Sequence, residues 1–488
     1  MWTRSLLTLC LALLCAGTAG AQDRLPPAVQ QALQRSGLPA DALAAIALPL
    51  DHRARSWRHR ATAQVQPGST MKLLTSIVAL ERLGPQQRGS TELRSAAVIA
   101  DGVLHGDLVL KGGADPELGV PQLWALLSEL RQRGVQRIAG DLLLDRSLFR
   151  PTRTDLGRPP FDESPEFEYN VIPDALHLAS SLLTLDIAST ETGARVNAWP
   201  TLQGLEISAE MQPGTARCAD WDEGWQPARI SRDEAGNTRI RLQGSFPRDC
   251  TQRTQLQLID RDELAERLMR TLWQGLGGSW AGQAREAATP EGSTLLARHT
   301  ARPWGEVLRH MNKTSDNAEA RLLYLLLGVP PMAANPQATT AELAEREVRA
   351  WLAEQRIDAS ALVLDNGSGL SRSERLTPLL MASVLKAAWA GRHVHDLLAT
   401  LPTAGVDGTM RRRLKDSSAA GWARLKTGTL SNVVALAGVV RDARGRRWAV
   451  AMMLNHVDAN KLGRPVLDAL VDSLARGELR ARPTRRSR

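Results

Sequence analysis

The sequence predicts an α/β protein whose two ends build one body and bracket a mostly β insert. Three observations predict it. Segments with helical spacing occupy residues 25–84 and return after about residue 290. Apolar runs of strand length stand near both ends, at 42–50, 432–442 and 446–456, as buried strands do. Between about 87 and 285, short alternating segments sit between Gly, Asp and Pro turns, the texture of strands and hairpins.

The elements follow in order. LPPAVQQALQRSGL (25–38) reads as a short helix opened by proline, and ALAAIALPL (42–50) as a buried strand. In PGSTMKLLTSIVALERLGP (67–85), Pro67-Gly68 breaks the chain and Ser69 is an N-cap type. Apolar residues recur at 71, 74, 77, 78 and 80, and Gly84-Pro85 ends the helix. Within the insert, strands are expected in 96–118, 137–149, 182–190, 204–211 and 238–246, with one helix at 121–134. WGEVLRHMN, NAEARLLYLLLG, TAELAEREVRAWLAEQ and TPLLMASVLKAAWA read as helices. Two strands at 432–442 and 446–456 and a helix near 463–475 close the body.

Composition narrows the function. With 488 residues, 43% apolar and 23% charged, the chain is neither disordered nor fibrous. A net charge of +9 is mild at this length, and two Tyr and four Phe offer little for base stacking, so no nucleic-acid partner is expected. Arg outnumbers Lys 54 to 7. The few lysines therefore mark places that need an amine able to lose its proton.

Residues 1–21 read as an export signal, with Arg4, the apolar run Leu6 to Cys15 and a cleavage pattern at Ala19-Gly20-Ala21. The apolar run is too short to span a bilayer. Cleavage after Ala21 implies a periplasmic protein. Cys218 and Cys250 remain, an even pair in an oxidising compartment. Bridged, they close a loop of 31 residues, worth about 3–4 kcal/mol; two separate buried thiols are the other reading. His393 and His395 form an isolated pair, so no metal or cofactor is expected. The tail 476–488 carries six Arg and one Glu. It is a solvated end or makes, at most, weak peripheral contact with an anionic membrane.

Three motifs carry chemistry. Ser69-Thr70-Met71-Lys72 places a hydroxyl and an amine one turn apart at a helix start, where a lysine of lowered pKa can activate a serine. Ser383-Val384-Leu385-Lys386 repeats the pattern in mid-helix, where no backbone amide is free beside the serine. Ser315-Asp316-Asn317 falls on a turn between helices; taken alone it reads as an N-cap, though it is the one S-x-N in the sequence. Lys426-Thr427-Gly428-Thr429 stands at the entry to the strand NVVALAGVV, where it offers a cation, a hydroxyl and a glycine that lets a ligand approach closely; a turn before an edge strand is the other reading.

In this order, S-x-x-K, S-x-N and K-T-G resemble the set of the serine penicillin-recognising enzymes. Ser69 and Ser315 stand 246 residues apart and Ser315 and Lys426 111. That long first gap, with LKGGADPEL, GDLLLDRSLF, LDNGSGLSR and LPTAGVDGTMRRR, makes the chain similar to the D-alanyl-D-alanine carboxypeptidase/endopeptidases. These are the class C low-molecular-mass penicillin-binding proteins. Gly68 departs from the alanine usual before the nucleophile, and YNVIPDALHL (169–178) is a loose version of a Tyr-Asn-Ala-Pro segment.

The resemblance implies a β-lactamase/transpeptidase-like catalytic domain, helices packed on an antiparallel sheet, at 22–86 and 287–475. Two mostly β inserted domains are implied between the first two motifs, at 87–96 with 174–286 and at 97–173. It implies a D,D-peptidase acting on peptidoglycan stem peptides and inhibited by β-lactams. The implied catalytic residues are Ser69, Lys72, Ser315, Asn317 and Lys426. Thr427, Gly428, Thr429, Ser431, Arg372 and Tyr169, with Asp162 or Glu163, are implied to bind substrate. A β-lactamase or esterase on the same domain, or a silent wall-binding protein, are the other classes.

Overall fold

Apolar runs from opposite ends of the chain pair into one antiparallel sheet. In the computed structural model, which describes residues 23–479, its strand order is Arg424–Leu430, Val433–Arg441, Arg447–Asn455, Leu43–Pro49 and Trp57–His59. Antiparallel sheets often leave one face wet; this one is covered on both. Ala44, Ile46, Ala435, Ala451 and Met453 join one core with the helices Met71–Arg82, Asn317–Leu327 and Pro378–Ala390. Leu43, Ala45, Leu436, Val450 and Met452 join another with Pro27–Ser36 and Arg464–Ala475. The period of two therefore sorts two cores rather than core and solvent, and the strands read as unbroken apolar runs.

The helices expected in the body are present, with Trp304–His310 and Thr340–Glu354 completing the set named above. Met71–Arg82 is buried on every side from Met71 to Leu80, as suits a helix inside the helical layer. Lys-Thr-Gly is not a turn before a strand. It lies inside Arg424–Leu430, a strand of its own at the sheet edge, whose residues Leu425 to Gly428 are buried.

The insert is less purely β than expected. Besides Val120–Gln132 it contains a second helix, Arg261–Gly275. Its signals were ordinary: the Asp260 side chain accepts from Asp262 N, and Leu264, Leu268, Met269 and Trp273 are buried at helical spacing. Strand Ser90–Ser95 pairs with both Leu108–Gly113 and Thr294–Thr300. A separate three-stranded sheet orders Gly193–Trp199, Leu183–Thr190 and Thr251–Leu256. One apolar cluster, including Leu93, Leu144, Leu185, Leu242 and Trp273, runs beneath both sheets.

An irregular segment, 150–178, connects the insert to the site. Buried charge pins it. Asp174 pairs with Arg146 at 2.7 Å and with Arg261 at 2.7 Å. Arg261 also donates to Ile172 O (2.9 Å), and Arg321 donates to Asn170 O (3.0 Å) and Val171 O (2.6 Å). Cys218 and Cys250 are bridged, with Cα atoms 5.3 Å apart. The export signal and residues 480–488 of the basic tail lie outside the described residues. Among those described, no helix is long and apolar enough to cross a membrane.

Candidate active site

Ser69 sits in the short turn Gly68–Thr70 that leads into Met71–Arg82. It does not cap the helix with its side chain. Its Oγ instead accepts a hydrogen bond from Lys72 Nζ at 3.1 Å. Lys72 is 0% exposed and also donates to Asn317 Oδ1 (2.6 Å) and Ser368 O (2.5 Å). Three acceptors use the three protons of an ammonium. If the proton toward Ser69 leaves, the other two bonds persist and the freed lone pair points at the serine hydroxyl. The proton is weakly held: burial brings the Lys72 pKa down to about 7, against partial restoration by Asp316 and Glu374.

The Ser-Asp-Asn turn divides its labour. Asp316 is the cap, its side chain accepting from Glu319 N at 2.8 Å. The two flanking residues are thereby turned to the cleft. Asn317 holds Lys72 and donates its Nδ2 to Tyr169 O (2.9 Å). Ser315 ends a π-helical turn with φ of 70°, a backbone state that non-glycine residues adopt at a cost of order 1–3 kcal/mol. Its Oγ accepts from Lys426 Nζ at 2.7 Å. Asp316 thus makes the cap, while Ser315 and Asn317 meet the two lysines.

Lys426 is also fully buried and donates to Thr427 O at 2.9 Å. Burial, and then the charge of Lys72, hold its pKa well below the usual lysine range. Thr427 Oγ1 bonds Thr409 Oγ1 at 2.8 Å, while Thr429 is exposed at the cleft. Gly428 explains itself by contact. A Cβ there would lie 2.6 Å from Pro67 O and 3.1 Å from Ser69 N, so only glycine lets the edge strand lie against the serine turn. A Cβ on Gly68 would come 3.3 Å from Thr429 N. The amides of Ser69 and Thr429 thus border one narrow gap.

The loop 364–374 supplies parts that sequence reading did not assign. Ser368 offers the carbonyl that receives Lys72. Gly369, at φ +84°, lies where a Cβ would be 2.0 Å from Gly68 O. Glu374 is buried and accepts from Gly367 N (2.8 Å), Gly369 N (2.9 Å) and Asn366 N (3.1 Å), which folds the loop against the serine turn. The clustered glycines were a signal for a tight loop, but a backbone carbonyl leaves no letter in the sequence.

The outer residues divide. Tyr169 comes to the cleft through its carbonyl, and its hydroxyl donates to Asp162 Oδ2 at 2.9 Å. Arg372 donates to Phe161 O (3.0 Å) and stacks over the Phe161 ring, at 4.6 Å to the centroid. Asp162 and Phe161 thus join Tyr169 and Arg372 into one rim. Ser431 is exposed on the turn that joins the two strands after Thr429. The Cys218–Cys250 bridge lies in the insert. His310, Asp316 and Glu319 place ligand-type atoms within 4.8 Å of one another. The His310–Glu319 hydrogen bond (2.9 Å) and the Asp316 cap account for their arrangement.

Two serine–lysine pairs and an asparagine between them therefore meet across a helix start, an inter-helix turn and an edge strand. The sequence profile of the D-Ala-D-Ala carboxypeptidase 3 (S13) family matches residues 25–476. The chain belongs to this family. As an S13-family protein it is a serine-type D-Ala-D-Ala carboxypeptidase, a penicillin-binding hydrolase of cell-wall peptides. D-alanyl-D-alanine carboxypeptidase DacB of Haemophilus influenzae is 27% identical over 393 residues, 79% of this chain and 80% of its own. The D-alanyl-D-alanine carboxypeptidase of Actinomadura sp. strain R39 is 29% identical over 397 residues, 78% of this chain and 72% of its own. The crystal structure of penicillin binding protein 4 (dacB) from H. influenzae matches with a TM-score of 0.76 at 24% identity. It covers 91% of this chain and 98% of that one. The S13-family fold expected from the motifs, helices on an antiparallel sheet with a long insert before Ser-x-Asn, is the fold observed.

Proposed function

We propose that the chain removes the terminal D-Ala from peptidoglycan stem peptides, and opens D,D-cross-links, through an acyl-enzyme on Ser69. The observation that carries this reading is the fully buried Lys72 with its Nζ 3.1 Å from Ser69 Oγ, burial that brings its pKa down to about 7. Neutral Lys72 takes the serine proton as Oγ attacks the carbonyl of the penultimate D-Ala. The amides of Ser69 and Thr429 hold the oxyanion, each such donor being worth roughly 3–4 kcal/mol. Ser315, backed by Lys426, passes a proton to the leaving amine. Asn317 orients the substrate amide, and Lys426, Thr427 and Thr429 grip the terminal carboxylate. Water then frees Ser69. A β-lactam acylates the same oxygen and has no small leaving group to lose.

Tyr169, Arg372 and Ser431 border the remainder of the stem peptide. The leader 1–21 carries the chain to the periplasm, where the Arg-rich tail is a solvated end that makes at most weak contact with anionic lipid. The experiment is D-Ala release from a pentapeptide by the purified mature protein. Ser69→Ala should reduce release to background; release retained by Ser69→Ala and lost by Ser383→Ala would move the nucleophile to the other motif.

A further inference from the structure

The insert shows solvent a sheet face whose chemistry the reaction at Ser69 does not use. It belongs to the three-stranded sheet of Gly193–Trp199, Leu183–Thr190 and Thr251–Leu256. Alternation sends Leu183, Leu185 and Ile187 into the core and leaves Thr184 and Asp186 on the other side. Register sets Trp199, Thr184 and Gln255 in one row and Asn197, Asp186 and Arg253 in the next. Gln255 donates to Thr184 Oγ1 (3.2 Å), and Arg253 pairs with Asp186 (3.0 Å). Trp199 is 52% exposed. Its row borders an open hollow that Glu168 and Arg253 also line.

A large flat ring left half in water beside fixed amide, hydroxyl and charged groups suits a ligand with one apolar face and a polar rim. A sugar ring has that form. The carboxylates of Asp186 and Glu168 disfavour a phosphate chain, and the row of polar groups disfavours a purely apolar guest.

Backbone contacts also link the face to the cleft. Leu256, at the end of the sheet, bridges to Phe167, and Gln257 N donates to Glu166 O at 2.7 Å. Two residues after Phe167 stands Tyr169, whose carbonyl holds Asn317. The face and the Ser69 cleft thus share one stretch of backbone. A stem peptide is itself bonded to an amino sugar, four residues before the scissile carbonyl, an extended reach of about 14 Å.

We propose that this face holds the N-acetylated amino sugar of the glycan strand that carries the stem peptide. Trp199 stacks on the ring, and Asn197, Thr184 and Gln255 bond its hydroxyl and acetamido groups. The proposal rests on the reading of Ser69 as the nucleophile for stem peptides. The test compares kcat/KM for a disaccharide-pentapeptide and for the same pentapeptide without sugar, in wild type, Trp199→Ala and Gln255→Ala. Both side chains are exposed, so folding does not depend on them. The wild type should prefer the sugar-bearing substrate. Trp199→Ala should lower kcat/KM for it by roughly three- to tenfold, through KM, and leave the free peptide unchanged. Gln255→Ala should act in the same direction. No preference in the wild type, or equal losses on both substrates, would overturn the proposal. A wild type that cleaves neither would overturn the Ser69 reading and the sugar face with it.

Discussion

Lys72 shows how much one buried side chain can decide. Its amine is useful only when neutral, and burial brings its pKa to about 7. Below that pH the ammonium donates to Ser69 and cannot take its proton; above it the lone pair is free. The acid limb of kcat/KM should therefore rise with pH through about 7, and a limb near 10 would remove Lys72 from the base role. Lys72→Arg keeps the charge but stays protonated, so it should lose activity nearly as fully as Lys72→Ala, by at least the 10²–10⁴-fold typical of a lost general base. At this scale the meeting of Ser69, Lys72, Ser315, Asn317 and Lys426 was legible, because the groups that meet are their own side chains and the spacing marked their helix start and turn. Ser368 and Glu374 were not legible, because one contributes a backbone carbonyl and the other shapes a loop through amides distant from the motifs.

Among elements, the decisive fact is the meeting of three chain segments at the serine turn. The edge strand approaches through Gly428 and the loop 364–374 through Gly369. Gly369→Ala places a Cβ 2.0 Å from Gly68 O on a backbone at φ +84°. The serine turn must shift, and even a 1 Å displacement can cost about 10²-fold in rate. Gly134 is the control. It has φ +88° with nothing within 4 Å, so Gly134→Ala should cost only about 1 kcal/mol of backbone strain and leave activity intact. Thermal unfolding and D-Ala release, measured on both variants, separate strain from displacement. Equal activity in the two would mean that loop 364–374 does not fix the serine turn. The three inner strands of the central sheet were readable because both faces are buried, whereas the edge strand Trp57–His59, three residues with Arg58 among them and Arg53 and Arg55 just before, reads as part of a polar connection. The edge strand Arg424–Leu430 was missed because Lys426 and Gly428 are poor strand formers, and the burial of Leu425 to Gly428 comes from the tertiary packing around them.

In the whole molecule, buried charge joins the insert to the catalytic body. Asp174 answers both Arg146 and Arg261, and together they hold the segment that delivers the Tyr169 carbonyl to Asn317. Asp174→Ala leaves two buried arginines without their shared partner. It should destabilise by about 3–5 kcal/mol, seen as a lower midpoint in denaturant, and should weaken D-Ala release. An unchanged midpoint would show that the segment is held by its apolar contacts alone. This network could not be read from sequence, since its members lie at 146, 174 and 261 and no spacing links them. The order of the three catalytic motifs, in contrast, carried the architecture across the long insert.

The central claim is that Ser69 forms the acyl-enzyme, and its most direct measurement is mass spectrometry of the protein after reaction with a penicillin. One adduct per chain should appear and map to the peptide containing Ser69, and Ser69→Ala should remain unlabelled. An adduct on Ser315, on Ser383 or on a protein lacking the Ser69 hydroxyl would contradict the account.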